Sequence, residues 1–173
     1  MSALAPGRRG MTLFEVSAYI AFTAVLVAPM LRMEVVARRA TAEQTALLVL
    51  DREWARISDA LGSDLRSAMS VRAEDEGKSL RIVRATGGGG EMILYRLDPA
   101  APGRLLRDIA NAASDRDRIL SPHAQSVSFR REGASWVADV RLSNVVQQRT
   151  IERTGRIVRT PRAEAPAAER RSP

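Results

Sequence analysis

The chain reads as an α+β protein in which a long N-terminal helix, transmembrane in its first half, packs on an antiparallel sheet. Three observations lead there. Residues 16–31 carry no charge, and counted from Met11 the apolar segment reaches the roughly 20 residues that a helix needs to cross a bilayer. Residues 47–68 place apolar side chains at helical spacing. Beyond Met69 the period shortens to two, the signature of strands. A helix followed by a run of strands is the order of α+β folds, where the helix covers one face of the sheet.

Composition narrows the function classes. A length of 173 residues suits one domain plus an anchor. Aromatic residues make up only 4%, so the core must be built from Leu, Ile, Val and Ala. The 27 basic residues outnumber 20 acidic ones, but they are scattered rather than clustered, which argues against nucleic acid as a partner. There is no cysteine, which removes disulfides, thiolate zinc sites and cysteine catalysis. His123 is the single histidine, which speaks against a histidine metal site or catalytic pair. No cofactor or metal pattern and no focused nucleophile set stands out, so the expectation is a protein that is not an enzyme.

The first elements are a leader and a membrane helix. Residues 1–10 are short and carry Arg8 and Arg9 just before the apolar run. Positive charge stays on the cytoplasmic side, so the amino end is expected there and the rest of the chain across the membrane. Residues 11–33 form the expected transmembrane helix. Glu15 lies inside it, and a carboxylate in such a helix costs about 2.5–3.5 kcal/mol on insertion scales. Pro29 removes one helical hydrogen bond and is expected to bend or loosen the helix. An ordinary signal anchor with a tolerated acid is one reading. A twin-arginine export signal at Arg8-Arg9 is another, but Glu15 and the unbroken continuation into a second helix argue against it.

Gly10-Met11-Thr12-Leu13-Phe14-Glu15 resembles the N-terminal signal of type IV pilins and pseudopilins, with Met where Phe is usual. The resemblance implies a pilin-like fold and cleavage by a prepilin peptidase between Gly10 and Met11. It also implies N-methylation of Met11 and a role for Glu15 in setting register between subunits of a filament. The physics is compatible. Cleavage creates an amine on Met11, and Glu15 lies four residues on, hence on the same helical face. An amine and a carboxylate attract strongly in a low dielectric, and a neighbouring subunit's amine would satisfy the acid equally well.

The remaining elements come in chain order. Leu47, Leu50, Trp54, Ile57, Leu61, Leu65 and Ala68 form an amphipathic stripe, so one helix is expected from Thr12 to about Met69, with Gly62 a mild interior defect. Asp51, Glu53, Asp59 and Asp64 spread around it and read as a solvated face rather than a metal or acid–base site. Residues 79–84 and 91–97 alternate about a glycine turn at 87–90 and predict a hairpin. A phosphate cradle there lacks the following Lys-Ser/Thr and helix. Residues 98–103 predict a turn, 104–109 a short strand, and 110–122 a loop with at most one helical turn. Residues 125–131 and 136–142 predict a second hairpin, with Val127, Phe129, Trp136, Val140 and Leu142 inward. Residues 145–158 offer a last strand or a pair around Gly155. Residues 34–159 are thus the expected periplasmic domain, and 160–173, rich in Pro, Ala and charge, a disordered tail.

Within the family, residues 50–52 and 64–68, then Tyr95-Arg96-Leu97 and Leu105-Leu106-Arg107, look like minor pseudopilins of the J type in type II secretion, and minor pilins of the W type look similar. The resemblance implies a subunit at or near the tip of a pseudopilus or pilus. Its implied partners are the prepilin peptidase, other pilins, an inner-membrane assembly platform with its ATPase, and membrane lipid. The rival expectation is an uncleaved single-pass anchor carrying a periplasmic binding domain.

Overall fold

The computed structural model describes residues 11–86, 89–110 and 118–161. Its contacts divide the chain into two units, Met1–Ala42 and Glu43–Pro173. One helix, α1 (Leu13–Arg66), contributes to both and runs through Pro29 without a break. Its C-terminal part, from Glu43, packs on antiparallel sheets, which is the α+β architecture that the residue pattern predicts and is consistent with the pilin-like fold that the resemblance implies.

The strands come in chain order: β1 (Ala68–Glu74), β2 (Ser79–Thr86), β3 (Gly89–Leu97), β4 (Leu105–Ala110), β5 (Arg118–Ser121), β6 (Ala124–Glu132), β7 (Ser135–Val146) and β8 (Arg149–Arg159). They form two sheets rather than one. The first has the order β1-β2-β3-β4-β5 and the second β6-β7-β8, with every described pair antiparallel. Both are meanders, so each strand lies beside the one just before it in the chain.

The helical stripe is the shared floor. Leu50, Ile57, Leu61 and Leu65 are buried with Leu80, Ile82, Ile93, Leu105 and Leu120 of the first sheet and Val127, Phe129, Val140 and Leu142 of the second. Each such side chain contributes about 1.5–3 kcal/mol on burial. The five inward residues expected of the second hairpin are all buried. Leu47 departs from the expected stripe and is 44% exposed, while Ala46 beside it is buried.

Three other expectations are corrected. The helix stops at Arg66 rather than near Met69. The Ser67 hydroxyl donates to the carbonyls of Ser63 and Asp64, and Ala68 already pairs with Arg84. β1 then occupies a stretch with no predicted strand; as an edge strand it half-buries Ala68, Val71, Ala73 and Glu74 and fully buries none of its residues. The loop expected at 110–122 gives way at its end to β5, where Leu120 is buried against α1; residues 111–117 lie outside the described set. The predicted hairpin at 79–97 is present as β2 and β3, paired from Leu80↔Tyr95 to Thr86↔Gly89, with the connection at 87–88 outside the described residues.

Of the two forms expected around Gly155, the last strand is the one present, and Gly155 is the middle of β8, opposite Val140. The turn lies at Gln147 and Gln148, with φ of 48° and 68°. Gly155 is required for space. A Cβ there would meet the Trp54 ring at 2.6 Å and 2.8 Å. The ring lies across the strand and receives the Arg153 guanidinium 5.7 Å from its centroid. Gly77 (φ 85°) meets a similar limit, since a Cβ would come within 2.6 Å of the Phe129 carbonyl oxygen. Gly155→Val is therefore expected to displace Trp54 and lower stability by about 1–3 kcal/mol, the cost of overpacking. Thermal unfolding monitored by tryptophan fluorescence checks this; an unchanged midpoint would show that the ring has room to move.

Candidate functional site

The first unit carries the residues that the sequence singles out. Gly10 lies outside the described residues, and Met11 is the first within them. Thr12 and Glu15 face each other across the first helical turn. The Thr12 backbone N–H donates to Glu15 Oε2 at 2.8 Å, and the Thr12 hydroxyl donates to the same oxygen at 3.0 Å. The Glu15 backbone N–H lies 3.3 Å from Thr12 Oγ1. This is a capping box, in which Ser or Thr and a Glu three residues later satisfy each other's backbone donors. The sequence already holds the signal in Thr12-Leu13-Phe14-Glu15, but the spacing to Met11 points elsewhere, to an amine.

The cap opens a segment that has no cover of its own. Every residue from 11 to 41 is exposed, including Phe14, Tyr19, Ile20, Phe22, Val25 and Leu26. Apolar surface on that scale needs a cover other than water. α1 is long and apolar enough to span a membrane. In hydrocarbon the free N–H groups of a helix start cost several kcal/mol each when unpaired, so a carboxylate that accepts one of them offsets part of its own burden. No donor among the described residues reaches Glu15 Oε1.

The second unit brings together residues that the sequence disperses. Asp64 is 2% exposed, which corrects its place on a solvated face. Its carboxylate accepts a bidentate pair from Arg107, Nε at 2.7 Å and a terminal nitrogen at 2.9 Å. The Tyr95 hydroxyl donates to it at 2.5 Å, and Arg84 at 3.3 Å. Arg84 also pairs with Glu91. One helical carboxylate thus holds β2, β3 and β4. Burial, with the Asp64 charge next, pushes the Tyr95 hydroxyl well above the ordinary tyrosine range. The hydrogen bonds to Asp64 raise Arg107 above the usual guanidinium value.

Glu53 is corrected in the same way, at 6% exposed. The Ser121 hydroxyl donates to it at 2.6 Å, and His123 Nδ1 lies 2.8 Å from its other oxygen. Serine, histidine and carboxylate are in contact, but not as a nucleophile relay. Ser121 is fully buried and gives its proton to Glu53, not to the imidazole. The node fastens β5 and the start of β6 to the helix. Asp51 and Asp59 do stay exposed, and Asp51 pairs with Arg153.

Comparison with known protein families, curated proteins and solved structures finds no match. The functional reading therefore rests on the residues and their geometry.

The Asp64 anchor has two measurable consequences. Removing one partner of a buried ion pair leaves the other uncompensated, so Asp64→Ala is expected to lower stability by about 3–5 kcal/mol. Urea unfolding of the full-length protein in detergent checks this, and a loss no larger than that of Asp59→Ala would show that the network is not an anchor. The second consequence concerns pH. Tyr95 holds its proton more tightly folded than unfolded, so its contribution is complete below the unfolded value of 10.0 and is lost as pH rises above it. The stability of the wild type should fall more steeply above pH 10 than that of Tyr95→Phe. Parallel curves would place the tyrosine proton outside the network.

Proposed function

We propose that this chain is a minor pilin or pseudopilin, a structural subunit cut between Gly10 and Met11, methylated on Met11, and assembled into a filament at or near its tip. The observation that carries the reading is the start of α1. A capped helix begins two to three residues after the Gly10-Met11 bond and exposes all of its apolar side chains over residues 11–41. Such a helix is suited to two successive covers, lipid while the subunit is stored and neighbouring helices once it is assembled.

Glu15 fits a part in the exchange. Its Oε2 closes the helix cap, and its Oε1 is left for an incoming donor such as the amine that cleavage would create on a neighbouring subunit. The buried nodes at Glu53 and Asp64 hold the sheets to the helix. The subunit can then be pulled by its helix without shedding its domain. The assignment extends to the inner membrane with a cytoplasmic amino end, and to a prepilin peptidase and an assembly platform with its ATPase as partners. The J-type minor pseudopilin of type II secretion is the finer form of the same reading.

The decisive experiment is mass spectrometry of the N-terminal peptide from membranes of the native host. A peptide starting at methylated Met11 is expected; a start at Met1 or Ser2 would make the chain an uncleaved anchor. Gly10→Ala should keep its leader. Glu15→Ala should be cleaved yet absent from sheared filament fractions, and its normal incorporation would remove Glu15 from assembly.

A further inference from the structure

A groove runs beside β1. β1 is an edge strand paired only with β2, so one row of its backbone groups has no partner strand among the described residues. Residues 68–71 form one wall of the groove. Arg131, Trp136 and Pro161 of the second sheet and its exit form the other, around a volume of about 340 Å³. Met69, at a register shift between Ala68 and Ser70, is 59% exposed there and supplies an adaptable apolar contact. Trp136 is 8% exposed, and its indole N–H has no hydrogen-bond partner among the described residues. An unused donor therefore remains beside the groove.

Charge says what the groove suits. Arg131 lines it and donates only to the Gly133 carbonyl among the described residues. Arg66 and Arg72 flank residues 68–71 in the chain, and no described carboxylate pairs with either. Elsewhere on the second sheet Arg130 and Arg156 are matched with Asp139, Arg141 with Glu152, Arg149 with Glu43 and Arg153 with Asp51, while Arg159 donates to the Ser58 hydroxyl. Arg131 thus brings a positive charge with no carboxylate partner among the described residues to an open strand edge with an apolar wall.

We propose that this groove binds an extended segment of a partner protein, with alternating apolar and acidic residues, that adds to β1 as a further strand. The backbone supplies affinity in this mode of recognition, and alternate side chains supply specificity. Apolar side chains would enter the slot between Val71 and Trp136, and carboxylates would face Arg131 and Arg72. A second copy of this chain is a poor occupant, because pairing β1 with β1 brings its own arginines together. The chain's tail is equally unsuited, since Arg162, Arg170 and Arg171 outnumber Glu164 and Glu169 and Pro166 interrupts it. The proposal is independent of the filament assignment and stands or falls without it.

The test is calorimetric titration of the full-length protein in nonionic detergent with the blocked hexapeptide Glu-Val-Thr-Val-Glu-Val. Saturable binding is expected, weaker by about tenfold or more for the Lys-for-Glu peptide and for Arg131→Glu, as loss of charge complementarity predicts. Ser70→Trp, an exposed position that does not touch the core, should fill the slot and abolish binding. A peptide N-methylated at alternate residues should also fail, which a purely ionic contact would not produce. No binding at millimolar peptide, or equal binding to all variants, overturns the proposal. So does binding that appears only after residues 162–173 are deleted, which would give the groove to the tail. Equal binding of oligothymidylate would reduce it to nonspecific anion attraction and overturn it as well.

Discussion

A carboxylate shut away from water must have its positive charge brought to it. Asp64 imposes that condition on half of the molecule. Arg84, Tyr95 and Arg107 come from three successive strands, and all three reach the same two oxygens near the end of the helix. Satisfying that carboxylate fixes the first sheet's register and its distance from the helix together. Apolar packing alone would allow the sheet to slide along a stripe of leucines with small differences in energy. The ion network does not, because a shift of one residue would leave a buried charge unpaired. Glu53 does the same for the strand and corner that lead into the second sheet.

One helix therefore serves two environments by two different rules. Over residues 11–41 it exposes every side chain, and its first acid closes its own cap. From Glu43 onward it is amphipathic, and its buried acids hold tertiary partners. The change of rule coincides with the boundary between the two compact units. Position along the helix decides whether a carboxylate acts locally or over long range.

Much of this was legible in the residues, and the exceptions share a cause. The apolar run, the stripe at Leu50, Ile57, Leu61 and Leu65, and the hairpins β2–β3 and β6–β7 show themselves through periodicity, which is a local signal. The cap is local too, Thr12 with Glu15 three residues later. β1 and β5 were hidden because one is an edge strand and the other has four residues, so neither writes a long alternation. Asp64 and Glu53 were hidden more deeply. Their partners lie from 20 to 70 residues away, and nothing near either acid distinguishes it from Asp51 or Asp59. The need for Gly155 was hidden for a related reason: it marks a close approach, and the approaching group, Trp54, belongs to another element.

The two meanders bear on how the domain is built when a chain is delivered from one end. No strand waits for a later one to be inserted between it and its neighbour, so each can dock on an edge that already exists. The helix comes first and is a template on which both sheets are laid in turn. Contacts within each sheet close short loops, which favours rapid formation. The exposed edge therefore advances along the chain, and among the described strands the last pairing in chain order, β7 with β8, is also the most extensive, running from Trp136↔Arg159 to Val146↔Arg149. A domain of this design closes its longest described seam only once the other described strands are in place.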